Sequence, residues 1–519
     1  MSAQNAASIK VNNILTGRMQ YRADPLADAT IDCILGPWNH LPESVAVAKL
    51  LVAGAESAAS AKTLLAAQWQ PQWQKLASVS RTFEQWSDNR NVIGWRPNQD
   101  LAPEIGAPLA GYVSEAHGLP EWADRGKLER AEALFMEYGA LSVTILFCSS
   151  LPECYVIPDL AAVLHATGQL EKHTEYRIRA TGAMIFPVMM RGGLTEPDGG
   201  GVAQILKVRL IHATIRNLIL RGSPEAAVSN LDASRNNQNK QSESGLGDIH
   251  YAEDAGIVPP LPGLAATNDM HQTLFAHGWK TGLEGLPCNQ EELAYTLLTF
   301  SYVFLRSMRK LGLPMSVDDE EAYLHSWNVT GHILGIEREL MANTMAEAEV
   351  LFDGMQARGR ADRIKRPEPA DPRPKLGNAL MQSMAQVIPL HAVKPFPTLL
   401  TRYLCGAATS KDLGLNGPMS WFSRFLFTAC MFLVRALDWL VRLAFPEFSI
   451  ARLFTRVLGY HFITKLLMDQ TRPLKLPEHV RNRVDVMISQ WDNDPKAPGW
   501  MNSLEDRLTV KGGWKGSTS

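Results

Sequence analysis

The stretch from Lys127 to Leu220 constrains the fold most. Segment after segment in it repeats apolar residues at helical spacing, and strand signals along the whole chain are few and short. "KLERAEALFMEYGALSVTILFCSSL" reads as one long helix that passes from amphipathic to buried. "DLAAVLHATGQL" reads as a shorter helix stopped by Gly168. "EYRIRATGAMIFPVMM" follows, and the turn-rich "RGGLTEPDGGG" separates it from the apolar helix that contains "KVRLIHATIR". Helical signals resume at "NQEELAYTLLTFSYVFLRSMRKLG", where Asn289 is suited to cap the helix and Gln290–Glu292 fill its first turn. The next helix carries "DDEEAYLHSWNVTGHILGIERELM". The expected fold class is all-α, a multi-helix domain with further helical regions on either side.

The expected organisation has four parts: an N-terminal helical region over 1–125, a central domain over 126–353, a Pro- and Arg-rich linker over 354–377, and a C-terminal helical region and tail over 378–519. Residues 222–248 are polar, rich in Ser and Asn and without period, which suits an exposed insertion in the central domain. No internal repeat of fixed period is present.

With 519 residues, 46% of them hydrophobic and 20% charged, the chain is long enough for one large core or for several domains. The formal net charge of −2 gives no global attraction to nucleic acid. Six cysteines without a CxxC pair fit a reducing compartment. The N-terminus lacks a basic segment followed by an apolar one, so the expected location is cytoplasmic rather than secreted. The most apolar stretch, 421–445, is interrupted by Arg424, Arg435, Asp438 and Arg442, and its longest uncharged run, Phe425 to Val434, is too short to cross a bilayer. Two readings stand: a buried helix pair in the core, which the length rule favours, or a helix lying peripherally in a membrane interface with its arginines at the headgroups.

Common catalytic signatures fail. There is no GxGxxG after a strand, no P-loop, no GxSxG and no HExxH. "HTE" at 173–175 has no matching cysteine pair for a zinc deaminase, and the Glu–His at 478–479 is isolated. What remains is His212. At 100° per residue, Arg209, His212 and Arg216 share an arc of roughly 60° on an otherwise apolar helix. Like charge and desolvation both hold such an imidazole neutral, leaving a lone pair for iron or another borderline metal. The flanking arginines could then meet carboxylates. Against this stands a core histidine whose arginines reach solvent. Arg177 and Thr181 lie at i and i+4, one face of one turn. His325 and His332, at i and i+7, are about 20° apart on a later helix that otherwise reads as buried.

"LPECYVIPDLAAVLHATGQL", the Arg-x-x-x-Thr of "RIRAT", "KVRLIHATIR", "GLPCNQEELAYTLLTFSYVFLRSMRKLG" and "EEAYLHSWNVTGHILGI" stand in an order that resembles the oxygenase domain of latex-clearing proteins (rubber oxygenases) and MpaB-type oxygenases, from about Leu128 to about Leu351. The resemblance implies an all-α fold around a non-covalent haem b. In it, His212 is the proximal iron ligand, Arg177 and Thr181 line the haem pocket, and His325 and His332 stand near it. To this, helix geometry adds Arg209 and Arg216 as partners of the haem propionates. The implied activity is dioxygen addition to, or oxidative cleavage of, a double bond in a small apolar, isoprenoid-like substrate, with an electron donor unspecified. The sequence departs from the latex-clearing branch at Ala180, where that branch has a lysine, and its distal glutamate could be any of Glu153, Asp159, Glu171 or Glu175. A haem- or lipid-binding helical protein without turnover is the alternative.

Overall fold

The structure, a computed structural model, describes residues 18–36, 55–166, 174–221, 257–258, 274, 279–280, 284–313, 315–365, 371–388 and 391–444. The insertion at 222–248 lies outside the described residues. The described chain is helical apart from a two-stranded antiparallel ladder, β1 (Ile257–Val258) paired with β2 (Trp279–Lys280). The all-α expectation holds.

The helices, in chain order, are α1 (Pro25–Leu35), α2 (Ala55–Gln85), α3 (Asn89–Ile93), α4 (Pro103–Ala116), α5 (Arg125–Glu137), α6 (Gly139–Ile145), α7 (Leu151–Cys154), α8 (Pro158–Ala166), α9 (Thr174–Met189), α10 (Gly201–Arg221), α11 (Gln290–Phe300), α12 (Tyr302–Leu311), α13 (Val317–Ile333), α14 (Met345–Lys365), α15 (Arg373–Val387), α16 (Phe396–Asp412) and α17 (Trp421–Ala444). One contiguous apolar core draws on helices from α1 to α16. The strongest pairings are α13 on α5, α9 on α10, and α1 on both α10 and α4.

Local chemistry sets the boundaries. Asp24 caps α1 ahead of Pro25, and Gly36, with φ 85°, ends it. Asn289 caps α11 as expected, its side chain accepting the Glu292 N–H at 3.0 Å. Gly312, left-handed at φ 81°, closes α12. The segment read as one helix over 127–151 is bent instead. Tyr138 leaves helical geometry (φ −109°, ψ 16°), and the chain turns through 84° between α5 and the helix that follows. The amphipathic half stays at the surface and the apolar half turns inward. Between α6 and α7, Leu146–Ser150 form a π-helical turn, fully buried. A second expected helix, from 289 to 312, is divided at Ser301 into α11 and α12.

The expected linker over 354–377 is also corrected. Most of it is the end of α14 and the start of α15, and its described arginines are paired rather than solvated. Arg358 bonds Glu291 and meets Asp362 at 2.7 Å, Arg360 meets Asp412 at 2.8 Å, and Arg373 donates to the Val156 carbonyl at 3.0 Å. Arginine-rich sequence reads as linker only when its partners, tens of residues away, are invisible. Finally, 421–444 is one helix exposed along one side, so the buried pair favoured by the length rule gives way.

Candidate functional site

The glycine-rich turn before α10 folds the chain back onto α9. A Cβ on Gly199 would lie 2.3 Å from the Gly192 carbonyl oxygen, so only glycine permits this approach. Asn89 fastens the turn from α3, its side-chain amide donating to the carbonyls of Gly193 (2.9 Å) and Glu196 (2.8 Å).

α10 emerges with two unlike sides. On one side Arg209, Arg216 and Arg221 are buried against α1, each opposite an aspartate spaced four residues from the next. Arg209 forks onto Asp24, with Nη2 to Oδ1 at 2.8 Å. Arg216 bonds Asp28 at 2.9 Å, and Arg221 bonds Asp32. The remaining guanidinium donors reach carbonyls: Arg209 to Ile333 (3.0 Å), Arg216 to Pro287 (3.0 Å) and Cys288 (2.6 Å), and Arg221 to Gly36 (2.9 Å). Cys288 is held at φ 54°, and Arg216 grips this turn just ahead of the Asn289 cap. Burial pushes the Asp28 carboxyl up to about 7 while Arg216 pulls it down.

This overturns one expectation and modifies another. Arg209 and Arg216 are not available to propionates, because their hydrogen-bonding edges are taken by α1 and by backbone carbonyls. Nor do they confront His212 as bare cations, since each is neutralised by a carboxylate.

Bordering this arc of arginines, α10 is less enclosed. His212, Val208 and Lys207 are half-buried and Ile211 is 39% exposed. Lys207 has no acidic partner among the described residues, and burial alone pushes its ammonium down to about 8. Arg177 and Thr181 both fall on α9, the helix packed against α10. Thr181 is half-buried, and the side chain of Arg177 lies outside the described residues.

His325 and His332 are brought together, though around an indole. Both set their rings edge-on to Trp122, with centroids 5.6 and 5.9 Å away, and Arg338 stacks over the same ring at 4.6 Å. His325 Nε2 accepts the Asp124 N–H at 2.8 Å, which secures the cap of α5 to α13. Burial, with Lys127 nearby, lowers the His325 pKa; burial, with Arg209 nearby, lowers that of His332. Arg209 is the link between this cluster and α10 through its bond to Ile333.

Of the carboxylates considered for the distal role, two are committed elsewhere. Glu153 accepts from Arg306 (2.5 Å), Gln356 (2.8 Å) and Thr409 (3.0 Å), and Asp159 accepts from Gln20 at 3.1 Å beside Arg358. Glu171 and the side chain of Glu175 lie outside the described residues. Neither network was expected from the sequence, although arginines inside apolar helices, such as Arg306 in α12, are the signal that buried acids must meet them.

Sequence reasoning also missed a small apolar cavity of about 30 Å³ under the π turn, where Phe135, Leu146, Phe186, Phe304, Tyr323 and Trp327 come together. Phe304 and Tyr323 stack at 4.7 Å. The cavity has room for a diatomic molecule and not for a hydrocarbon chain. The π turn leaves carbonyls without the usual helical donors, and the Cys405 thiol approaches those of Cys148 and Ser149 at 3.6 and 3.7 Å. Among the described residues no group of three or more His, Cys, Asp or Glu side chains is placed to hold a metal ion alone.

Residues 264–436 match the family described as ER-bound oxygenase mpaB/B'/Rubber oxygenase, catalytic domain. The chain is 23% identical over 356 residues to the rubber oxygenase of Streptomyces sp. (strain K30), an alignment that covers 68% of this chain and 64% of that protein, a little under two thirds of its length. The structure of a latex clearing protein in its closed state aligns with a TM-score of 0.46 and 16% identity, covering 85% of this chain and 86% of that one. Residues 264–436 are thus similar to the catalytic domain of an oxygenase family, that of MpaB and the rubber oxygenases. The matched stretch includes His325 and His332 and begins after Arg177, Thr181 and His212. It continues past the expected domain end at 353 to the middle of α17, in keeping with a core that α14, α15 and α16 share.

Proposed function

We propose that the protein is a haem b-dependent oxygenase acting on an apolar, unsaturated, isoprenoid-like substrate with dioxygen. The observation that carries this reading is the donor set on α10: one half-buried imidazole, His212, beside Val208 and Ile211, with the neighbouring arginines neutralised by α1. A haem brings four nitrogens of its own and takes one imidazole from the protein, so the residues present fit it. His212 would hold the iron. Lys207, rather than Arg209 or Arg216, would meet a propionate, since its ammonium is half-buried with no acid beside it among the described residues and an arriving carboxylate would offset the burial. Thr181 and Arg177 remain the residues of α9 assigned to the same pocket.

When bound, the haem supplies the centre at which dioxygen is activated toward a double bond. The chain's own residues do the rest. His212 offers a ring nitrogen, the apolar flank of α10 excludes water, and the aromatic cavity under the π turn can store a small apolar gas.

Protein expressed with iron and a haem precursor is expected to show a Soret band and a b-type pyridine haemochrome. His212→Ala should lose both, and Lys207→Gln should keep the spectrum while weakening haem retention about tenfold. Full haem content with an unchanged spectrum in His212→Ala would overturn the assignment.

A further inference from the structure

α17 carries a surface that the oxygenase reading does not use. Trp421 is 77% exposed, Phe425 63%, Phe432 73%, Leu433 57% and Leu440 53%. At 100° per residue, Trp421, Phe425 and Phe432 fall within about 40° of one another, and Phe422, Leu433 and Leu440 extend the stripe to about 120°. The opposite side of the helix is attached to the body. Ser423 is buried and donates to the Ala392 carbonyl at 3.2 Å, and Phe427 packs edge-on against Phe396 of α16's first turn at 5.4 Å. The stripe is thus presented outward by a fixed helix. Six large apolar side chains in one continuous stripe exceed the scattered exposure normal for a protein surface.

Charge identifies what covers it. Arg424 and Arg435 lie about 20° apart along one edge of the stripe, both exposed, and Arg435 is steadied by the Tyr403 hydroxyl and the Lys310 carbonyl. From 388 to 436 the chain has five Lys and Arg residues (Lys394, Arg402, Lys411, Arg424 and Arg435) against one acid, Asp412, which is itself bonded to Arg360 at 2.8 Å. This local excess of positive charge opposes the overall net charge of −2. An apolar stripe rimmed by cations suits anionic headgroups over acyl chains. Among the described residues no single helix is long and apolar enough to cross a membrane, so this helix would lie in the plane.

We propose that α17 docks the protein on an anionic lipid surface, with Trp421, Phe425 and Phe432 inserted at the acyl boundary and Arg424 and Arg435 at the phosphates. The surface stands independently of the haem site. Flotation of the full-length protein with phosphatidylcholine vesicles, with and without a quarter of phosphatidylserine, tests it. Binding should be at least about tenfold stronger to the anionic vesicles and weaken with salt. Phe425→Glu with Phe432→Glu should abolish binding to both, with an unchanged circular dichroism spectrum because these side chains face out. Arg424→Glu should reduce only the anionic component. Protein that stays unbound at low salt overturns the proposal. So does a stripe already shielded without lipid, whether by a second copy, seen as a concentration-dependent dimer lost in Phe432→Glu, or by residues 445–519, seen as Trp421 protected from aqueous quenchers.

Discussion

α10 and α17 look alike as sequence, each an apolar helix punctuated by arginines, and they end in opposite environments. In α10 the arginines are buried against α1. In α17 Arg424 and Arg435 are exposed at the rim of an open apolar stripe. The difference is not in the helices themselves. α1 supplies Asp24, Asp28 and Asp32 at the spacing that α10 requires, and α17 faces no such row among the described residues. An arginine in an apolar helix is buried when the chain provides an acid for it, and otherwise it orients the helix toward an interface.

The sharpest way to break this comparison is to remove one rung. Asp28→Ala leaves the Arg216 guanidinium buried and uncompensated, which should cost about 3–5 kcal/mol in urea denaturation. Replacing both partners, Asp28→Leu with Arg216→Met, should recover much of that loss. A double variant no better than the single one would mean that the pair is not the source of the effect. A smaller effect is expected at Gly335, whose φ is +87° and where a Cβ would lie 2.5 Å from an Asp24 carboxylate oxygen and 2.8 Å from Arg209 Nε. Gly335→Ala should destabilise by about 1–3 kcal/mol through the strained backbone and the displaced first rung. The smallest belongs to α17: Arg424→Ala should change stability by less than about 0.5 kcal/mol. A loss there as large as at Asp28 would show that the two helices are held in the same way.

The sequence made α10 readable as a helix and made His212 stand out, because periodicity is local and a lone imidazole among apolar residues is conspicuous. It also located the Asn289 cap. What it concealed was pairing at a distance. Asp24 and Asp28 are more than 180 residues from their arginines, so Arg209 and Arg216 could only be read with respect to their neighbour, and a cofactor became the expected recipient of their charge. The same blindness turned the α14–α15 region into a linker. Lys207 went unnoticed for the converse reason: a lysine at the start of an apolar run looks like a solvated end until burial removes its water.

The π-helical turn at Leu146–Ser150 has a consequence for how this chain can change over time. Such a turn holds one more residue than the α-helix around it, so it is an insertion that the fold has absorbed. Losing a single residue there would restore regular helix and leave the turns on either side facing as they do now, whereas a loss elsewhere in the helix would rotate everything downstream by about 100°. That rotation would swing Glu153 away from Arg306, Gln356 and Thr409, while a loss within the turn would alter the wall that Leu146 and Ser150 give the aromatic cavity. Substitutions along this helix can accumulate one at a time, but its length can drift by one codon at the π turn alone: elsewhere before Glu153 a deletion would have to be repaired by an insertion, or the three helices that meet at that carboxylate would lose their common anchor.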